Sequence, residues 1–147
     1  MVRALKLGLL VVLAGVPGAL VFAVYYHVMP GPYSYGTPPV YNALVFGVFY
    51  VFCFVPLLVL CFGITHLLQK RKGGSVRVMT WPTGGVLIGF IVTLVFAMMT
   101  DGIKSRVLKE HLGLFLSLAM AGAAFGWGWW ACFVNRDSDG SRPSAWG

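Results

Sequence analysis

The chain has 147 residues, of which 59% are hydrophobic, and its eleven Lys or Arg against four Asp or Glu give a net charge of +7. With a mean hydropathy of +0.83, that composition excludes a water-soluble domain, because only lipid can solvate so apolar a chain. The basic residues sit in short clusters between long neutral runs, so they form no continuous basic face, and nucleic-acid binding is excluded as well.

Arg3 and Lys6 precede the first neutral run, Leu7 to Met29, which stops at Met29-Pro30-Gly31-Pro32, where two prolines remove backbone donors and fix φ. Arg3 and Lys6, the apolar stretch and the Pro17-Gly18 pair also resemble a cleavable signal peptide. The run continues through Val28, however, longer than the roughly 7 to 15 residues of a signal core, and this favours an uncleaved helix. The second run, 41–69, ends at Lys70-Arg71-Lys72. It is longer than the roughly 20 residues a span needs and is expected to tilt, to project, or to bend at Pro56. The third covers 79–100 and the fourth 112–134.

Backbone groups in lipid must be satisfied within the segment, so neutral runs of this length form helices unless a closed barrel is available. Apolar residues at consecutive positions, as in Leu57-Leu58-Val59-Leu60, do not alternate as barrel strands do. The expected fold is therefore an all-α integral membrane protein, a four-pass transmembrane helical bundle over 1–134, followed by a disordered cytoplasmic tail, 135–147. Orientation follows from where Lys and Arg lie. Both termini are expected in the cytoplasm of a multi-pass plasma membrane protein, which places Arg3, Lys6, Lys70, Arg71, Lys72, Arg77, Arg136 and Arg142 inside, and Lys104, Arg106 and Lys109 outside. Residues 102–110 then read as one or two turns of interfacial helix on the outer surface.

Trp81, Trp127, Trp129 and Trp130 are expected as interfacial anchors at the inner ends of their helices, with Tyr25, Tyr26, Tyr33, Tyr35 and Tyr41 around the outer end of the first hairpin. The loop Pro30–Pro39 is uncharged and stiffened by proline, so Tyr33, Tyr35 and Tyr41 form a candidate outer docking loop that presents its rings at low entropic cost.

The clearest internal pattern is small residues at four-residue spacing. Gly85, Gly89, Thr93 and Ala97 form one stripe; Gly113, Ser117 and Ala121, then Gly122 and Gly126, form two more. Ala14 with Gly18 and Ala19 with Ala23 give the first helix a weaker version. Such stripes let helices approach backbone to backbone, within this chain or against another copy or another membrane protein.

Chemistry within the membrane usually leaves an ionisable residue in a span, and none of the four runs contains Asp, Glu, Lys or Arg. The three histidines do not share one end of the bundle, and Glu110-His111 lacks the HExxH context of a zinc site. Cys53, Cys61 and Cys132 form no CxxC pair and are expected to be buried free thiols acting as small apolar fillers. No cofactor is expected. The function expected is that of a non-enzymatic accessory, assembly or immunity-type subunit of a membrane complex, whose partners are the lipid bilayer and either itself or another membrane protein. The alternative is a small oligomeric channel or facilitator lined by Thr93, Ser117 and glycine carbonyls.

Overall fold

The computed structural model describes residues 2–29, 38–72, 79–101 and 111–134. They are almost wholly helical. Helix α1 is Val2–Val28. Helix α2, Pro39–Phe49, continues through a π-helical turn, Tyr50–Phe54, into α3, Val55–Lys72. Helix α4 is Thr80–Asp101, and α5, Leu112–Trp129, ends in a second π-helical turn, Trp130–Val134. Four of these continuous rods, 4–28, 39–71, 80–99 and 112–134, are long and apolar enough to cross a membrane. The expected interfacial helix at 102–110, the rings of Tyr33 and Tyr35, and the tail lie outside the described residues.

The start of the second rod is set by its prolines. Pro38 is extended (φ −59, ψ 145) and Pro39 follows at the first helical position, where the missing N–H would have had no partner in any case. The rod therefore begins two residues earlier than the hydropathy pattern places it. Pro17 lies inside α1 without ending it, as prolines in apolar helices often do where neighbouring helices pack.

Pro56 acts differently. It has no N–H to offer the Phe52 carbonyl, and its ring crowds that oxygen. The preceding turn opens, and the Val55 N–H donates to the Tyr50 carbonyl, five residues back. The effect reaches the core. Phe46, Tyr50, Phe54, Leu58 and Phe62 are all buried, none more than 4% exposed, and they recur every fourth residue. In a regular helix of 3.6 residues per turn each such step overshoots a full turn by about 40°, which would carry the column around the rod. A turn closed over five residues takes up the excess and keeps the large side chains facing the bundle.

Helix α5 lies at the centre, with α1 and α4 packed on it and α2 packed on α1. Half of its best spanning window is buried, against 22%, 22% and 17% for the other three rods. It is also the least apolar of the four, which agrees with its central position. Two kinds of contact build the bundle. Where α4 and α1 meet α5 the residues are small, and the second rod is held off by rings, Phe46 packed on Phe22 at 5.3 Å and Phe62 stacked on Phe125 at 5.9 Å. Both contacts bring side chains into close van der Waals packing.

Candidate functional site

The small-residue stripes lie in the seams between helices. A Cβ on Gly85 would meet the backbone of Gly122, and one on Gly122 the backbone of Gly85. Further along the seam a Cβ on Gly89 would lie 3.0 Å from the Leu118 backbone, and one on Gly126 would meet the Trp81 carbonyl. Gly113 lies under the Tyr25 ring, while Gly18 packs on Ser117, Ala121 and Phe46. Ala121 is fully buried and Ala14 nearly so; Ala97 is half-buried. Thr93 and Ser117 are buried in these seams, and their hydroxyls donate to the carbonyls of Gly89 (2.8 Å) and Gly113 (2.6 Å) on their own helices. Such back-bonding satisfies a hydroxyl without a second helix, and leaves neither on the outer surface.

Other glycines face outward. Gly8, Gly47 and Gly63 have nothing within 4 Å of the position a Cβ would take. Gly47 lines an apolar groove of about 430 Å³ between α1 and α2, whose walls include Gly15, Ala19, Ala43 and Tyr50. The Tyr50 ring covers Gly15, and the Tyr50 hydroxyl, in a side chain only 2% exposed, has no hydrogen-bond partner among the described residues. A buried hydroxyl left so in an apolar surrounding costs about 1 to 3 kcal/mol.

Two expectations about aromatic and thiol side chains are corrected. Trp81 is 1% and Trp129 8% exposed, so they are core residues and not interfacial anchors. Phe62 lies between them, 5.6 Å from Trp81 and 6.1 Å from Trp129, with Phe125 stacked on Trp129 at 5.9 Å. The glycine at 126 lets the chain segment bearing Trp81 come close, and the two indoles fill the space left where α3 stands off. Trp127 is exposed and Trp130 half-buried. Cys53 and Cys61, expected as buried fillers, are exposed on the face of the second rod away from the column, and Cys132 is half-buried. A thiol is apolar enough to face lipid without penalty.

At the opposite end of the bundle, where α1 finishes and α5 begins, a cavity of about 390 Å³ opens between helices from all four rods. Phe22 and Tyr26 come from α1, Phe46 and Phe49 from α2, Phe96 from α4, and His111 and Leu114 from the start of α5. The rings hold one another edge to face, Phe49 on Phe96 at 5.8 Å and Phe96 on His111 at 5.7 Å. Asn42 and His111 line this cavity although they are only 6% and 8% exposed, and Tyr41, from the expected docking loop, stands at its rim, 57% exposed. The sequence carries a signal for part of this. Asn42 and His66 continue the four-residue column of Phe46 to Phe62 at its two ends, so a polar residue at one end of an aromatic column marks where the column meets a cavity. Nothing in the sequence joins His111 to it.

His27 is exposed and His111 buried. No three His, Cys, Asp or Glu side chains come together among the described residues. No protein-family model, no curated protein and no solved structure matches this chain.

Proposed function

We propose that this chain is a non-enzymatic multi-pass protein of the plasma membrane, with both termini cytoplasmic, that serves as an accessory or assembly subunit by seating a transmembrane helix of another copy or of another membrane protein against its α1–α2 face. The observation that carries this reading is the outward groove at Gly47. Glycine in a helix interior costs about 0.8 to 1 kcal/mol relative to alanine, and the seam glycines offset that cost by letting backbones meet. Gly47 has no such contact within the chain, yet it sits beside Gly15, Ala19 and Ala43, the small-residue surroundings that a second helix uses. The excess of Lys and Arg in the terminal and 70–77 segments supports the orientation. The channel alternative has less support, because Thr93 and Ser117 spend their hydroxyls inside the seams.

The test is a Gly47→Leu variant compared with wild type by native mass spectrometry from mild-detergent extracts and by crosslinking in native membranes. A Cβ at this position has nothing within 4 Å, so the leucine side chain is expected to fill the groove while the bundle keeps its fold. The expected result is a defined complex in wild type that is lost in the variant. A wild-type chain that is strictly monomeric and partnerless in membranes, or a complex unaffected by Gly47→Leu, overturns the assignment.

A further inference from the structure

We infer that one end of the bundle, where α1 and α4 begin and α3 and α5 finish, is a rim that holds the head groups of anionic phospholipids. The fold brings these four helix ends together. A Cβ on Gly126 of α5 would meet the Trp81 carbonyl at the start of α4, and one on Gly128 would meet the Leu10 side chain near the start of α1. Phe62 of α3 lies 5.6 Å from Trp81 and 6.1 Å from Trp129. The same four ends carry the charge. Arg3 and Lys6 open α1, and Lys70, Arg71 and Lys72 close α3; in the sequence Arg77 comes just before α4 and Arg136 just after Val134. No Asp or Glu precedes Asp101 anywhere in the chain. Against these basic residues stand Asp137 and Asp139, in a terminal segment that also holds Arg142. The chain between the other ends of α4 and α5 is nearly balanced, with Lys104, Arg106 and Lys109 against Asp101 and Glu110.

Two features select a lipid over a soluble acidic partner. Exposed aliphatic side chains alternate with the basic ones. Leu5, between Arg3 and Lys6, is 76% exposed, Leu67 and Leu68, one turn before exposed Arg71, are 63% and 51% exposed, and Met79, just after Arg77 in the sequence, is 69% exposed. A ligand that meets both kinds of side chain must join an anionic group to apolar chains, which an acidic peptide or a nucleic acid does not. Lys and Arg suit that ligand, since their stems lie along apolar surface while their heads reach the phosphates. The charges also come from separate helix ends around the bundle and form no single face, an arrangement that fits several lipids better than one docked macromolecule. The inference rests on the membrane reading proposed above, and is independent of the α1–α2 groove and of which way the chain faces.

The experiment uses the full chain reconstituted in phosphatidylcholine vesicles that hold a trace of spin-labelled phosphatidylglycerol or, separately, of spin-labelled phosphatidylcholine. Electron paramagnetic resonance reads the fraction of each probe whose motion is restricted by contact with the protein. Flotation with the vesicles comes first: a chain that does not float refutes the membrane reading itself, whereas one that floats and restricts both probes equally overturns this inference alone. Wild type is expected to favour phosphatidylglycerol about fivefold at low ionic strength, the effect of about one basic residue at an anionic surface. Most of that preference is expected to vanish at about 1 M salt, where the Debye length falls to about 3 Å. The triple variant Lys6→Gln, Arg71→Gln, Lys72→Gln is expected to bring phosphatidylglycerol down to the level of phosphatidylcholine, while Lys104→Gln, Arg106→Gln, Lys109→Gln keeps the preference. Should the first triple variant fail to fold, the salt dependence and the second triple variant decide. A preference that survives high salt or the first triple variant, or that is lost in the second, overturns the assignment. So does capture of soluble polyglutamate by a chain that shows no preference between the two lipid probes.

Discussion

The seam between α4 and α5 makes a graded prediction. Gly85, Gly89 and Gly47 all lie inside apolar helices, and each gains the same Cβ on conversion to alanine, but what that Cβ meets differs. At Gly85 it runs into the Gly122 backbone, which belongs to a helix core and cannot turn aside. At Gly89 the nearest atoms, also backbone, are 3.0 to 3.2 Å away, so the helices must part by only a few tenths of an ångström. At Gly47 there is nothing within 4 Å. Overpacking of a fixed seam costs about 1 to 3 kcal/mol, while the helix propensity gained on going from glycine to alanine is about 0.8 to 1 kcal/mol. Gly85→Ala is therefore expected to destabilise by about 1 to 2 kcal/mol net, a factor of roughly 5 to 30 in the folded ratio, and Gly89→Ala to lie near zero. Gly47→Ala should be neutral or stabilising by up to about 1 kcal/mol. The assay is unfolding in mixed micelles by titration with dodecyl sulfate, followed by the fluorescence of buried Trp81, which sits at the end of this seam against Gly126. Equal effects at Gly85 and Gly47, or the reverse order, would show that the α4–α5 contact does not hold the bundle together.

Three other substitutions probe separate parts of the molecule. Removing a proline from a helix interior ordinarily gains about 3 kcal/mol, but Pro56→Ala is expected to gain almost nothing in the same titration, because closing the five-residue turn at Tyr50–Phe54 rotates Phe46 and Tyr50 away from the face shared with Leu58 and Phe62; a full gain would sink the register argument. Phe62→Ala leaves a cavity between Trp81 and Trp129, and since lipid already solvates apolar side chains, only the packing part of the usual 3 to 5 kcal/mol is lost, about 1 to 2 kcal/mol, with a matching collapse of the near-ultraviolet dichroism of the two indoles. In a variant lacking the three native cysteines, Ser105→Cys is expected to react with a membrane-impermeant maleimide added to intact cells, and labelling only after the membrane is opened would reverse the proposed orientation.

The rods were legible because their signals are local. Neutral runs bounded by Lys, Arg or proline give the helices to within a few residues, and Pro56 gives the place where the second rod departs from a regular helix. What that departure becomes was not legible, since an opened turn is chosen over a kink by the column of rings it must keep in line, and that column answers to α4 and α5. The burial of Trp81 and Trp129 is likewise a tertiary effect. Near a helix end an indole suits an interface as well as a core, and Gly126 settles the matter only once its partner is known to be the Trp81 backbone. The cavity is the least legible part, because Asn42 and His111 come from helices that neither adjoin in sequence nor share a pattern, and are brought together only by the crossing of four rods.

The central place of α5 has a consequence for synthesis. For the membrane protein proposed above, ribosomal order delivers α1 and α4 before α5, so the helix that both pack against would enter the bilayer after them, and it is also the least apolar of the four. Until it arrives, Ala14 and Gly18 of α1, and Gly85 and Gly89 of α4, lie open to whatever else is in the membrane. A chain interrupted before Leu112 would keep three insertable rods while leaving those small-residue surfaces permanently without their match, and would be the form most prone to associate with foreign helices and to be removed by membrane quality control.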